Sequence, residues 1–326
     1  MGAAVFAMLF ANRGMPAQKP SPQTIRVICL PGIPLPVVIA KARGIFLRYQ
    51  IEVVAEKATS ASALRDALGN HTADIAHSSV ENAVVADQSG GMDNVIVMGG
   101  EESTSELIVQ PEIRTVSDLR GHLIILDGAD TAYTLLLKKI LSRNGLRPGL
   151  DYEMKVVGLA PQRLQAMRDH PENAATIQKP PTSILSERAG LKSLGSTDAL
   201  SGMGKFQGIG GFVTRSWARD HGDLLERYIA AFVEAQRWMM DPANEKQVIA
   251  LMASEGHMPL DIAEQTYHVT MKEGWTPDAR FDVAGFRNVL ALEQEEEGST
   301  GTASAPEKFY DLSWYSHAID TLSRSK

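Results

Sequence analysis

The sequence predicts an α/β protein of two lobes, each a mostly parallel sheet flanked by helices, followed by a helical C-terminal section. Three observations lead to this fold class. The chain has 326 residues, enough for two domains of roughly 150 residues. Short β-branched runs alternate with helix-length amphipathic segments, which is typical of parallel sheets covered by helices. This alternation then gives way to segments with apolar residues at helical spacing.

The first unit of alternating elements occupies residues 24–98. Strands are predicted at 24–29, 51–55, 74–76 and 94–98, and helices at 35–43, 60–68 and 79–88. Glycines follow each helix, as expected where helices end. The hydroxyl of Ser60 or Ser62 is a suitable N-cap for the second helix.

The pattern restarts at residue 106. Strands are predicted at 106–109, 123–127, 152–157 and 174–177, a helical turn at 116–121, and helices at 131–144, 161–168 and 181–189. A last strand is predicted at 208–214. Helices follow at 223–240, 244–254, 260–272, 283–297 and 309–322, with a flexible link at 298–304.

Composition and missing motifs exclude several function classes. The net charge of −7 argues against a nucleic-acid partner. A single cysteine excludes a disulfide scaffold and a multi-cysteine metal site. The chain has no P-loop lysine motif, no HExxH, no Gly-x-Ser-x-Gly and no paired His/Cys spacing for zinc. We therefore predict no cofactor and no metal.

The N-terminus carries an apolar run at residues 2–11 with the length of a signal-peptide core, and small residues offer a cleavage site after Ala17. A basic segment before the run is missing, which a start codon placed too late would explain. The run is too short to span a bilayer. We interpret residues 1–23 as a signal of an exported or periplasmic protein, with a docked or disordered arm as the alternative.

Small or hydroxyl residues follow several predicted strands and lead into helices. A Pro-Gly-x-Pro loop at 31–34 follows Cys29, serines follow His77, and residues 128–131 follow Asp127. Carboxyl ends of parallel strands are where such sheets bind ligands, and helix N-termini there suit anions. Two such lobes facing each other form a cleft that closes by hinge bending. This arrangement indicates a binding protein.

An ordered set of motifs resembles the nitrate/sulfonate/taurine class of ABC-transporter solute-binding proteins and the related binders of thiamine-pyrimidine precursors. The matching segments are 27–46 with 51–54, 70–79, 115–125, 145–151 and 223–245. The resemblance implies a periplasmic-binding-protein type II fold, with lobe 1 at 24–102 plus 208–326 and lobe 2 at 103–207. It also implies a monomer that captures a sulfonate-, carboxylate- or pyrimidine-like ligand and delivers it to a membrane permease.

Residues at the family's ligand loops are the candidate ligand contacts. They are Pro31, Gly32, Ile33, His77, Ser78, Ser79, Asp127, Asp130, Thr131, Gln178 and Lys179. Asp130 is favoured as a helix N-cap, but if it faces the cleft it makes an anionic ligand less suitable. Lys179 has the opposite effect, because it supplies a counter-charge to a carboxylate or sulfonate.

An enzyme on the same fold is the alternative. An aromatic sulfinate desulfinase of this fold carries a catalytic cysteine in the first loop, about two positions from Cys29 in our alignment of the motifs. A nucleophilic Cys29 needs a base to activate the thiol, and His77 is the candidate at a neighbouring strand end. In a purely structural interpretation, Cys29 is a small buried strand residue without a catalytic role. The sequence leaves a C–S or related hydrolase open as the second function.

Overall fold

The computed structural model describes residues 21–102, 105–129, 131–296 and 305–324. Residues 1–20 of the segment predicted as a signal, the predicted link at 298–304 and Asp130 lie outside the described residues. The last residue of the segment predicted as a signal, Gln23, begins the first strand. The described part contains two five-stranded mixed sheets flanked by helices, as predicted. No helix in these ranges is both long and apolar enough to cross a membrane.

The first sheet has the strand order β2-β1-β3-β10-β4. Its strands are β1 (Gln23–Cys29), β2 (Ile51–Lys57), β3 (Ile75–Ser79), β4 (Asn94–Glu102) and β10 (Gln207–Thr214). β1 is parallel to β2 and β3, whereas β10 is antiparallel to both of its neighbours. The sheet is therefore mostly parallel with one reversed strand, and that strand comes from the distant return segment predicted at 208–214.

The second sheet repeats this pattern with the order β7-β6-β8-β5-β9. Its strands are β5 (Glu106–Val109), β6 (Leu123–Leu126), β7 (Glu153–Val156), β8 (Asn173–Gln178) and β9 (Lys192–Ser196). β5 is the reversed strand. The prediction missed β9, a partly exposed edge strand of sequence Lys-Ser-Leu-Gly-Ser, because it has no β-branched residue and contains a glycine.

Fourteen helices flank the sheets in the described ranges. They are α1 (Leu35–Ala42), α2 (Ile45–Arg48), α3 (Ala61–Gly69), α4 (Glu81–Gly90), α5 (Ala132–Arg143), α6 (Ala160–Asp169), α7 (Thr182–Arg188), α8 (Thr197–Ser201), α9 (Arg215–Asp220), α10 (Gly222–Met240), α11 (Glu245–Glu255), α12 (Leu260–Glu273), α13 (Val283–Glu296) and α14 (Ser313–Arg324). Short 3₁₀ turns connect some of them, including the turn predicted near residue 116. Helices α2, α8 and α9 were not predicted, since each is only four to six residues long.

Local hydrogen bonds explain where several elements begin. The Ser60 hydroxyl accepts from the backbone N–H of Ala63 at 3.1 Å, so Ser60 caps α3. Thr131 caps α5, because its hydroxyl accepts from the N–H of Thr134 at 3.2 Å. The cap of α5 is therefore Thr131, where the sequence favoured Asp130.

The last helix begins later than predicted because the chain before it extends the first sheet. The backbone N–H of Ile96 on the edge strand β4 donates to the carbonyl of Phe309 at 2.9 Å, and the N–H of Asp311 donates back to Ile96 at 3.0 Å. These bonds form a parallel bridge between Tyr310 and Ile96 beside β4. Pairing an exposed strand edge outweighs the helical pattern of this segment.

The C-terminal helices pack on the first sheet. Helix α10 places Tyr228 and Phe232 in a buried cluster with Ile25, Val27 and Cys29 of β1. Each sheet together with its flanking helices forms one half of the described structure. Helix α13 connects the two halves, because it contacts both β10 of the first sheet and α5 beside the second. The strands thus group as the predicted lobes require, while the lobe boundaries at 102/103 and 207/208 stay a prediction.

Gly99 on β4 provides a test of this packing. A Cβ at this position would lie 2.3 Å from the carbonyl oxygen of Arg280 and 2.9 Å from the Cα of Phe281. Because backbone cannot move aside as a flexible side chain does, we expect Gly99→Ala to lower the free energy of unfolding by about 1–3 kcal/mol, measured by urea denaturation. Gly32→Ala is the control, since nothing lies within 4 Å of its Cβ. Equal stability of the two variants would contradict this packing.

Candidate functional site

A cavity of about 110 Å³ lies between the carboxyl ends of the two sheets, and we call it the inter-sheet cavity. The first sheet contributes residues that follow β1 or end β3, together with the first turns of α3 and α4. The second sheet contributes residues that follow β6 and residues that end or follow β8, together with the first turns of α5 and α6. Both halves of the chain therefore form its wall, at the edge where parallel sheets bind ligands.

The structure brings seven of the candidate ligand contacts together in the wall of this cavity. They are Pro31, Ser78, Ser79, Asp127, Thr131, Gln178 and Lys179. Gly32, Ile33 and His77 are not part of the wall. Asp130 is not among the described residues. Contact of the seven with a ligand stays a prediction.

Cys29 and His77 lie beside each other on β1 and β3, as partners in the parallel register. Cys29 is 0% exposed, and burial raises the pKa of its thiol to about 12. The Nε2 atom of His77 is 2.8 Å from the hydroxyl of Tyr228, and its ring stacks on Phe232 at 5.1 Å. Burial lowers the pKa of His77 to about 3, so the imidazole is neutral.

This pair does not have the properties of a nucleophile and its base. Both side chains pack toward α10, and neither residue lines the inter-sheet cavity. A reactive cysteine needs a lowered pKa and access to its substrate. The environment of Cys29 matches the purely structural interpretation, a small residue buried in a strand.

The sequence missed several residues of the cavity wall. The polar ones are Glu81, Asn82, Tyr133 and Arg163, and the apolar ones are Leu30, Ala61, Leu159, Ala160 and Ile177. Glu81, Tyr133 and Arg163 lie in the first turns of α4, α5 and α6, just beyond the loops that we singled out. Continuing the strand-end argument one turn into each helix would have found them.

Lys179 is paired with a residue of the first sheet. Its ammonium group donates to the carboxylate of Glu101 on β4, and both side chains are largely buried. Burial alone would lower the pKa of Lys179, but the Glu101 charge and the bond that it accepts hold the pKa above its usual value. To serve a ligand anion, as the sequence predicts, Lys179 would have to share or leave this partner.

Arg163 of α6 is 5% exposed and bonds to backbone. Its guanidinium donates to the carbonyls of Gly158 and Ile177, the latter at 3.0 Å. Burial lowers the pKa of Arg163, while the nearby Asp127 carboxylate raises it. Arg163 therefore fastens the start of α6 to the end of β8 and partly balances the charge of Asp127.

Two carboxyl groups face the cavity from opposite halves. The Oδ1 atom of Asp127 accepts from the hydroxyl of Thr131 at 2.7 Å and from the N–H of Gly128 at 3.0 Å. Glu81 is 5% exposed and accepts from the hydroxyl of Ser79. Burial raises the pKa of Glu81 and the charge of Asp127 raises it further, while the bonds from Ser79 and from backbone N–H groups oppose this.

Amide side chains complete the polar part of the wall. Asn82 accepts from Arg65 at 2.8 Å and donates to the Ser78 hydroxyl at 3.3 Å. Gln178 is 2% exposed and donates to the carbonyl of Ala160 at 3.2 Å. Its Oε1 atom has no hydrogen-bond partner within the part of the chain that the structure describes. Nor does that part contain a cluster of three or more His, Cys, Asp or Glu residues suited to a metal ion.

Comparison with known proteins finds no matching protein-family model and no matching curated protein. Similar solved structures do exist. The ligand-binding component of an ABC-type import system from Staphylococcus aureus, solved with zinc bound, has a TM-score of 0.74 at 17% identity, covering 91% of this chain and 99% of that one. The periplasmic nitrate-binding protein NrtA from Synechocystis PCC 6803 has a TM-score of 0.73 at 13% identity, covering 94% and 90%.

The periplasmic aliphatic sulphonate-binding protein SsuA from Escherichia coli has a TM-score of 0.69 at 20% identity, covering 90% of this chain and 94% of that one. At such identities the likeness establishes the fold. The chain has the periplasmic-binding-protein fold found in solute-binding components of ABC import systems, as its sequence motifs predicted.

Proposed function

We propose that the protein is the solute-binding component of an ABC importer and captures a small organic ligand in the inter-sheet cavity. The observation that carries the proposal is the composition of the cavity wall, which comes from the carboxyl ends of both sheets. A ligand placed there touches both halves of the chain, so its binding energy favours the closed arrangement. The solved structures of similar fold support this function, because they include import-system binding proteins.

The chain path suits a closing motion. The polypeptide passes between the sheets twice, from β4 to β5 and from β9 to β10. At the second sheet the two passages are tied together, since the hydroxyls of Ser105 and Thr197 lie 2.7 Å apart and the N–H of Thr197 donates to the carbonyl of Ser105. We expect the halves to rotate about these paired passages, as hinges of a few residues allow.

Ion pairs across the cleft would favour closure once a ligand is bound. Lys179 pairs with Glu101 beside the cavity, and Arg188 of α7 pairs with Asp261 of α12 at 2.6 Å at the outer edge. The outer pair is exposed and contributes little. For the largely buried pair, the Coulomb attraction gained on closure is opposed by the cost of removing both charges from water, so its net contribution to closure is small.

The proposed partner is a membrane permease, which receives the ligand from the closed protein. The protein acts in the periplasm or outside the cell, as an exported monomer. These statements follow from the proposed role and from the apolar N-terminal run of the sequence.

A cavity-filling substitution tests where the ligand binds. Ala61 at the start of α3 lines the cavity, whereas Ser62 beside it is exposed. We expect Ala61→Phe to weaken ligand binding at least ten-fold, because the ring takes the ligand's space, and Ser62→Phe to leave it unchanged. The measurement is thermal stabilisation by a panel of sulfonates, carboxylates, aminopyrimidines and organic amines, where a ligand at 100 times its Kd adds about 2.7 kcal/mol.

Two results would contradict the proposal. If no compound of any charge class stabilises the protein, it is not a binder of small solutes of these classes. If Ala61→Phe and Ser62→Phe bind a stabilising compound equally well, the ligand site is elsewhere.

Replacing the cysteine separates a carrier from an enzyme. Because Cys29 is buried and its thiol pKa is raised to about 12, we expect slow reaction with a disulfide reagent in the native state. We expect Cys29→Ala to keep ligand affinity within two-fold while losing about 1 kcal/mol of stability. Titration calorimetry and chromatography of the incubated ligand give both readouts. Product formed by the parent protein and lost in Cys29→Ala would restore the hydrolase alternative.

A further inference from the structure

We propose that the inter-sheet cavity selects a small organic cation, of the amidinium or guanidinium kind, and holds its N–H groups between the carboxyl groups of Glu81 and Asp127. This inference rests on the proposed function, because it names the class of ligand that the same cavity takes. It excludes the sulfonate and carboxylate ligands that the sequence motifs suggested.

The charges at the cavity favour a cation. Three carboxyl groups and two cationic groups lie in or beside its wall, namely Glu81, Asp127, Glu101, Arg163 and Lys179. Glu101 and Lys179 neutralise each other. The remaining groups are the carboxyls of Glu81 and Asp127 and the guanidinium of Arg163. A singly charged organic cation brings their sum to zero when both carboxyls are ionised. A singly charged anion leaves the site negative even when Glu81 is protonated, and charges are weakly screened in a largely buried site.

A carboxyl group of the protein already lies near the helix start that would otherwise suit an anion. Free N–H groups at a helix start bind anionic groups, and α5 begins at Ala132, between the wall residues Thr131 and Tyr133. The backbone of Ala132 lowers the pKa of Glu81 slightly, so the carboxyl of Glu81 lies within its reach. A ligand anion would therefore compete with Glu81 for this helix start.

Free acceptor atoms provide independent evidence. Gln178 is buried to 98% and lines the cavity, yet its Oε1 atom has no partner among the residues described. The hydrogen bonds of Asp127 in that part of the chain go to Oδ1, which leaves Oδ2 available. A buried acceptor left unpaired costs free energy. A ligand with several N–H donors would satisfy the Oδ2 atom of Asp127, and it would reach the Oε1 atom of Gln178 after the buried amide turns toward the cavity. The buried Nε–H of Arg163 is an unpaired donor among the described residues that such a ligand would leave as it is.

Cavity size and wall limit the rest of the ligand. Engineered apolar cavities of about 150 Å³ hold benzene, so a volume of about 110 Å³ limits the ligand to a compact body, and hinge opening of the cleft has to make room for a single ring. Leu30, Leu159 and Ile177 provide an apolar surface for that body. The expected ligand therefore combines a compact apolar part with a cationic nitrogen group.

Proton release should accompany binding. The groups near Glu81 are Ser79, Asp127 and Tyr133, with Arg163 and the Lys179–Glu101 pair in the same region. Burial raises the pKa of Glu81 in the free protein, whereas a bound cation lowers it. Affinity for a cation should therefore rise with pH through the titration of Glu81 and level off above it.

A matched set of ring compounds tests the charge preference. Benzamidine, benzamide, benzoate and benzenesulfonate share one ring and differ in charge. By titration calorimetry we expect benzamidine to bind at least ten-fold more tightly than either anion. Glu81→Gln and Asp127→Asn should each weaken benzamidine at least ten-fold, while Asp66→Asn on the exposed face of α3 should not. The amide variants keep the shape of the protonated acids, and circular dichroism verifies their folding.

The pH dependence adds a second readout. Benzamidine binding by the parent protein should strengthen as pH rises and release protons, seen as different heats in two buffers of unlike ionisation enthalpy. Glu81→Gln should lose this release. Three results would overturn the inference: an anion that binds more tightly than benzamidine, no binding of benzamidine, or benzamidine affinity that neither carboxyl variant changes. The proposed function would still stand if an anion or an amide binds the parent protein and Ala61→Phe blocks that binding. Absence of binding by every charge class would overturn both.

Discussion

The insertion of β10 between β3 and β4 is the constraint on which the other features depend. A Cβ on Gly210 would lie 2.8 Å from the carbonyl oxygen of Met98, and a Cβ on Gly211 would lie 2.7 Å from the Met98 side chain. Because only glycine permits this approach, the strand can pair on both sides. Its pairing returns the chain to the first sheet, so that α10 covers the face where Cys29 and His77 lie and leaves the carboxyl edge of β3 free for the cleft.

The cleft acquires its chemistry from this two-sheet arrangement and not from either half alone. Glu81 begins a helix of the first half, where a carboxylate is ordinarily solvated and favourable. The second half buries it and brings Asp127 close, which turns a helix-stabilising charge into one that opposes folding when ionised. A buried carboxyl group beside a second one destabilises the folded protein. This loss of stability is the physical reason to propose that the pair binds a ligand.

Much of the fold could be predicted from sequence, because strand and helix periodicities and terminal glycines are local signals. The misses are places where tertiary contacts decide. β9 has a weak strand sequence and forms by pairing with β5, and Tyr310 forms a bridge with Ile96 where a helix was predicted. For the site, strand ends located the loops around Ser78 and Asp127. Glu81 and Arg163 were missed since a charged residue in a helix has no local sign that another half of the chain will bury it.

The adjacent residues His77 and Ser78 show how one strand separates structure from function. Side chains alternate across a strand, so His77 packs against Tyr228 and Phe232 while Ser78 reaches the cavity wall. Ser79 also reaches the wall, because it is the last residue of β3 and lies at the edge of the sheet. His77 and the single cysteine, Cys29, lie on the side that packs against α10, where burial keeps both neutral. The side that faces the cavity carries a serine. That a residue type is rare in the sequence therefore does not indicate that it is functional here. The direction of each side chain relative to the cleft determines which residues can contact a ligand.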